Sequence, residues 1–133
     1  MQIVPYLNFD GQCAEAFRFY EQVLGGKIEA MSTFGESPIA AGLSPEWHDR
    51  VLHARLTVQG QVLMGSDSPP GQYQKPQGLS VSLHTGDLAE AERTFCALAE
   101  GGTVVMPFEK TFWAAGFGML VDRFGTPWII NCE

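Results

Sequence analysis

Ala14-Glu15-Ala16-Phe17-Arg18-Phe19-Tyr20 is answered 75 positions later by Ala89-Glu90-Ala91-Glu92-Arg93-Thr94-Phe95, and Gly25-Gly26 recurs as Gly101-Gly102 at an offset of 76. In both places a helix-like run ends at a glycine pair and a strand-like run begins. Self-similarity at one fixed spacing is the mark of a repeated supersecondary unit. The chain of 133 residues therefore reads as two halves of one design.

Outward from the first copy, Ile3 to Phe9 reads as a strand with Pro5, Leu7 and Phe9 on one face and Val4, Tyr6 and Asn8 on the other. Asp10-Gly11 makes a turn, and Gln12 to Leu24 forms a helix whose Cys13, Ala16, Tyr20 and Val23 share one side. Gly25 supplies the left-handed residue that ends it. Lys27 to Phe34 is a second strand, and a long loop runs from Gly35 to about Arg50. Val51 to Val58 and Gln61 to Ser66 form a hairpin about Gln59-Gly60, with His53, Arg55 and Thr57 on one face and Leu52, Ala54, Leu56 and Val58 on the other.

The second copy follows a proline-rich junction. Gly78 to Thr85 alternates, Leu79, Val81 and Leu83 facing one way and Ser80, Ser82 and His84 the other. Asp87 caps a helix reaching about Glu100, with Glu90 three residues on, as in a capping box. Thr103 to Phe108 is the next strand. An aromatic and glycine-rich segment, Thr111 to Gly118, precedes a hairpin of Met119 to Asp122 and Trp128 to Asn131, with Asp122 serving its turn. Each half reads β-α-β-β-β, an α+β arrangement with one helix covering one face of a four-stranded sheet.

Eight Lys plus Arg stand against fifteen Asp plus Glu, for a net charge of −7, and no basic run occurs. A nucleic-acid face needs clustered cations to displace counterions, so nucleic acid is excluded as a partner. No 18-residue apolar segment and no basic, apolar leader is present, which predicts no membrane partner and a cytoplasmic location. Cys13, Cys96 and Cys132 are odd in number and lack metal-knuckle spacing, consistent with a reducing compartment. No GxSxG, HExxH or phosphate loop is found.

Pro5-Tyr6-Leu7-Asn8-Phe9, Met64-Gly65-Ser66-Asp67, Phe112-Trp113-Ala114, Asp122-Arg123-Phe124-Gly125 and Trp128-Ile129-Ile130-Asn131, in this order around the two helices, resemble the PhnB-like branch of the vicinal oxygen chelate superfamily. That superfamily includes glyoxalase I, extradiol dioxygenases and the fosfomycin and bleomycin resistance proteins. The resemblance implies one glyoxalase-like domain over 1–133, with repeat one at 1–67, a junction at 68–77 and repeat two at 78–133. It implies paired βαβββ repeats forming an eight-stranded, partly open, barrel-like cleft with the helices outside, and a homodimer. The branch has carried a demethylubiquinone methyltransferase label, yet no strand leads through a glycine-rich loop into a helix as a nucleotide crossover would require.

Metal-dependent members carry His, Gln or Glu on the inner strands of both repeats. Those positions fall at Val4, Arg55, Ser80 and Ile129 here, none a good ligand, so neither a metal nor another cofactor is expected. His53, His84 and Asp67 are the only substitutes for a displaced site. The polar strand faces instead line a small-molecule cleft, and the candidate substrate-binding residues are Tyr6, Asn8, His53, Arg55, Ser80, Ser82, His84, Trp113 and Phe117. Arg55 suits a carboxylate, phosphonate or phenolate, or else pairs with a nearby carboxylate.

Three functions compete at this level: a protein that binds a small anionic or aromatic molecule without the usual metal; a metal-dependent lyase, isomerase or dioxygenase with displaced ligands; and a dimeric assembly module with no ligand. Whether the chain is an enzyme stays open.

Overall fold

A computed structural model describes all residues, 1–133, and divides them into two compact units, Met1–Gln74 and Lys75–Glu133. The first holds strand β1 (Tyr6–Phe9), helix α1 (Cys13–Leu24), and strands β2 (Lys27–Thr33), β3 (Val51–Val58) and β4 (Gln61–Asp67). The second holds β5 (Val81–Thr85), α2 (Leu88–Ala99), β6 (Thr103–Glu109), β7 (Gly116–Val121) and β8 (Pro127–Cys132). Strand order is β1-β4-β3-β2 in one sheet and β5-β8-β7-β6 in the other. The first strand of each unit runs parallel to the last, and the remaining pairs are antiparallel. The βαβββ reading of each half is therefore the observed topology, an α+β fold of two four-stranded mixed sheets that are not closed.

In the first unit Leu7, Phe9, Ala54, Leu56 and Leu63 are buried with Cys13, Ala16, Phe17 and Tyr20 of α1. Phe17 stands edge-on to Phe9, and its ring fills the space that a side chain at Gly65 would take. In the second unit Ala91, Phe95 and Leu98 of α2 are buried with Leu120, Trp128 and Ile130. Apolar residues at helical spacing against apolar residues at period two are what the burial of one face of each element requires.

The glycine pairs behind the repeat have two separate jobs. Gly25 and Gly101 hold φ of 67° and 73°, the left-handed region beyond each helix end. Gly26 and Gly102 lie flat against the sheet: a Cβ on Gly26 would stand 2.6 Å from the Thr57 carbonyl, and one on Gly102 would collide with that of Val121. Helix termination accounts for the first glycine of each pair, and close helix-to-strand passage for the second.

Several boundaries differ from the sequence-based expectation. β1 starts at Tyr6, not Ile3, because Pro5 has no N–H to donate; only its carbonyl joins the ladder, accepting from Met64 N at 3.0 Å. β5 likewise starts at Val81, leaving Leu79 and Ser80 exposed before it. β7 begins at Gly116, since Gly116 and Gly118 are strand residues over which Phe108 and Phe95 pack, not turn residues. The loop after β2 is an ordered strap of three short 3-10 turns, Phe34–Glu36, Pro38–Gly42 and Pro45–Trp47. Phe34 is buried edge-on to Trp47, and the Arg50 guanidinium lies 3.9 Å over the Trp47 ring. At the strap's start, hydrogen bonds from the Thr33 backbone N–H and hydroxyl hold Glu36 below the usual carboxylate range.

Candidate functional site

In both units the helix covers one sheet face and leaves the other free of secondary structure from its own unit. In the first unit the open face carries Tyr6 and Asn8 of β1, Met64 and Ser66 of β4, and His53 and Arg55 of β3. The register sets Tyr6, Met64 and Arg55 in one row. Tyr6 reaches over β4 to place its hydroxyl 3.2 Å from Nδ1 of His53, the rings stacked with centroids 5.9 Å apart. That bond occupies one ring nitrogen, and Nε2 has no partner within the chain. Arg55 Nε stands 3.9 Å from Glu29, a long ion pair between two partly exposed side chains. Glu29 also accepts from the Thr57 hydroxyl at 3.2 Å. Asn8 is exposed and engages no other side chain.

The open face of the second unit has a different chemistry. His84 is held at both ring nitrogens, with Ser82 Oγ 2.7 Å from Nε2 and Asn131 Nδ2 3.3 Å from Nδ1. Asn131 is only 5% exposed and its Oδ1 has no hydrogen-bond partner. A depression of about 280 Å³ lined by His84, Thr85, Gly86 and Glu133 opens beside this cluster. Next to it Trp113, half exposed, meets Phe117 edge-on at 5.2 Å, and Phe117 pairs with Asn131 across the strands.

Of the nine sequence-derived candidates, the structure thus joins Tyr6 to His53, Ser82 to His84, and Trp113 to Phe117. Arg55 lies on the same strand face as His53, and Asn8 shares the open face of β1 with Tyr6. Ser80 precedes β5 and belongs to no cluster. Asn131 and Glu29 were not among the candidates, yet they are the neighbours that set how His84 and Arg55 are held. Phe34 is a core residue beneath the strap.

Two carboxylates are fully committed to structure. Asp67, 1% exposed, accepts from the backbone N–H of Gly11 at 2.9 Å, Cys13 at 3.0 Å and Val51 at 2.8 Å. It caps α1 from a distance, since Gln12 offers no side-chain cap. Asp122 accepts from Phe124 N, Thr126 N and the Trp128 indole at 2.9 to 3.0 Å, the turn-forming role expected of it. Burial, and next the Asp67 charge, push the Cys13 thiol far above its ordinary pKa.

These bonds decide how the residues suit the groups the superfamily implies. A divalent ion needs several imidazole or carboxylate donors converging on one point. Val4, Arg55, Ser80 and Ile129 supply none, Asp67 is spent on backbone, and both nitrogens of His84 are occupied. No three His, Cys, Asp or Glu side chains group together so as to hold a metal ion. The residues do not fit the metal. The helix N-termini do not fit the anionic end of a nucleotide cofactor either, because Asp67 and Asp87 already cap them.

Two βαβββ units, each with a helix on one sheet face and the other face open, make up a fold that solved fosfomycin-resistance structures at 7–8% identity share. Residues 1–131 match the family model described as 3-demethylubiquinone-9 3-methyltransferase, and the chain belongs to that PhnB-like family. The crystal structure of protein PA1353 from Pseudomonas aeruginosa is 54% identical, with a TM-score of 0.92, covering 100% of this chain and 98% of that one. A PhnB protein from Bacillus cereus is 26% identical, with a TM-score of 0.84 over the whole of both chains. Protein YjdN of Escherichia coli K12 is 35% identical over 98% of this chain and 95% of its own length.

Proposed function

We propose that the chain binds a small anionic or aromatic molecule on the helix-free faces of its sheets, without a metal at the positions that metal-dependent superfamily members use. The observation that carries this reading is Arg55. It lies on an open face beside His53 and Tyr6, and its only ion pair is the long, partly exposed contact with Glu29, so its guanidinium fork is available to a carboxylate or phosphonate. Trp113, half exposed and packed on the partly buried Phe117, supports the aromatic part, as ring surface beside a polar cluster suits a planar ligand.

No helix is long and apolar enough to cross a membrane. A reducing, cytoplasmic setting fits three unpaired cysteines, of which Cys96 is exposed. Self-association into a homodimer fits the exposed apolar residues Ile3, Leu79, Val105 and Phe112.

A thermal-shift screen of small aromatic carboxylates and phosphonates tests the reading. A ligand at 100 times its Kd adds about 2.7 kcal/mol of stability, a shift of several degrees, and Arg55→Ala abolishes the shift for anionic ligands. Unchanged binding by Arg55→Ala removes Arg55 as anchor. Stoichiometric Zn, Mn, Fe or Ni in protein purified without chelator overturns the metal-free part.

A further inference from the structure

The two strand histidines differ in one respect that matters for chemistry. His84 has both ring nitrogens tied within the chain, whereas His53 has Nδ1 against the Tyr6 hydroxyl and Nε2 unengaged. Two residues along the same strand face stands Arg55. Alternate residues of a strand share a face at a spacing of roughly 7 Å. That span suits a carboxylate held by the guanidinium and a carbon two bonds from it brought to the imidazole.

We infer that Tyr6, His53 and Arg55 form a proton-transfer site for 2-oxo acids that carry hydrogen on C3, an activity resting on the same face proposed above to bind anions. Arg55 holds the carboxylate. His53, with its proton on Nδ1 and donating to the Tyr6 oxygen, presents a bare Nε2 to the C3–H. The C3–H bond breaks, its proton passes to Nε2, and its electron pair moves through C2 onto the carbonyl oxygen to give an enolate. Return of a proton from Nε2 to C3 restores the keto acid, and exchange at Nε2 with solvent in between labels C3. No electron acceptor or co-reactant enters the step. The Arg55 cation stabilises the negative charge that develops on the enolate, and Glu29 limits that field by sharing the guanidinium. His53 is the catalytic residue, and Tyr6 is a positioning residue that selects its tautomer.

The test is the loss of the C3 proton signal of 2-oxobutyrate in deuterium oxide, followed by NMR with EDTA present. Exchange faster than that given by an equal concentration of imidazole, falling about 100-fold or more in His53→Gln, is the expected result. Arg55→Met raises KM more than it lowers kcat, and Tyr6→Phe lowers kcat with KM unchanged. His53→Asn and the melting temperatures of all variants guard against loss of fold. Exchange no faster than imidazole, exchange undiminished in both His53 variants, or activity abolished by EDTA overturns the inference. Calorimetry separates this from the binding reading: Arg55-dependent binding of 2-oxobutyrate without His53-dependent exchange sinks the proton transfer alone, and no binding of any tested anion sinks both.

Discussion

Asp67→Asn is the sharpest perturbation of the first unit, because it preserves shape and removes only charge and one acceptor. Oδ1 of Asp67 accepts from Gly11 N and Cys13 N, and Oδ2 accepts from Val51 N at 2.8 Å. An asparagine keeps one oxygen for the α1 terminus and must then point its NH₂ at the Val51 N–H, donor against donor. The lost charge-assisted bond is worth about 1.5–3 kcal/mol and the stranded buried N–H costs a further 1–3 kcal/mol or so, for a combined loss of about 2.5–6 kcal/mol. In a chain of this size that lowers Tm by roughly 10–20 °C. Calorimetric melting at pH 7, with urea unfolding at 25 °C as a second route to the same free energy, measures it. A loss below about 1 kcal/mol would mean that these three bonds do not hold β1, α1 and β3 together, and the account of Asp67 as a remote helix cap would be wrong.

Three further outcomes follow from the same structure. Gly26→Ala sets a Cβ 2.6 Å from the Thr57 carbonyl and destabilises by about 1–3 kcal/mol or more, whereas Gly60→Ala, with open space around it, costs only its positive-φ strain; denaturant curves of the pair separate crowding from backbone strain. Titration with a chromogenic disulfide in native buffer yields one fast thiol, exposed Cys96, with buried Cys13 and Cys132 reacting only on unfolding. Since folding raises the Cys13 pKa, the native state keeps a proton that the unfolded chain releases above pH 9 or so. Stability is therefore intact below that pH and falls above it by up to about 1.4 kcal/mol per unit, and Cys13→Ala flattens this slope between about pH 9 and 10, below the raised range of Tyr73.

What could be read from the sequence alone was set by periodicity. The faces of β1 and β3 follow from strict alternation, Leu7 and Phe9 against Tyr6 and Asn8, and Ala54 and Leu56 against His53 and Arg55. The α2 N-terminus follows from Asp87, whose side chain accepts from Glu90 N at 3.1 Å; the reciprocal half of the capping box is replaced by the Thr85 hydroxyl, which takes Asp87 N. Other features carry no local signal. Gly116 and Gly118 look like turn residues unless one knows that Phe108 and Phe95 lie over them. Asp67 looks like a free ligand because its three donors are 16 to 56 positions away. Asn131 sits at the end of an apolar strand, and only the parallel pairing of β5 with β8 brings it to His84.

The register makes the divergence of the two halves explicit. Matching β1 to β5 at the offset of 76 equates Tyr6 with Ser82 and Asn8 with His84, and the strand pairings extend this to Met64 with Ile129, Ser66 with Asn131, Arg55 with Met119 and His53 with Phe117. On the helix side the same matching gives Leu7 with Leu83, Leu56 with Leu120 and Ala54 with Gly118, apolar or small throughout. Packing under a helix tolerates little change of volume or polarity, so retention there needs no function to explain it. The open faces are free of that constraint, and they have not drifted to generic surface charge. One face holds an arginine, a tyrosine and a half-engaged histidine, while the other holds exposed aromatic rings beside a histidine tied at both nitrogens. Exposed apolar and aromatic surface is costly to keep without a partner, and a guanidinium left with one long ion pair gains little from it. The division of labour between the halves, one cationic and one aromatic, is the feature that a purely structural duplication does not account for and that the proposed binding of an anionic or aromatic molecule would.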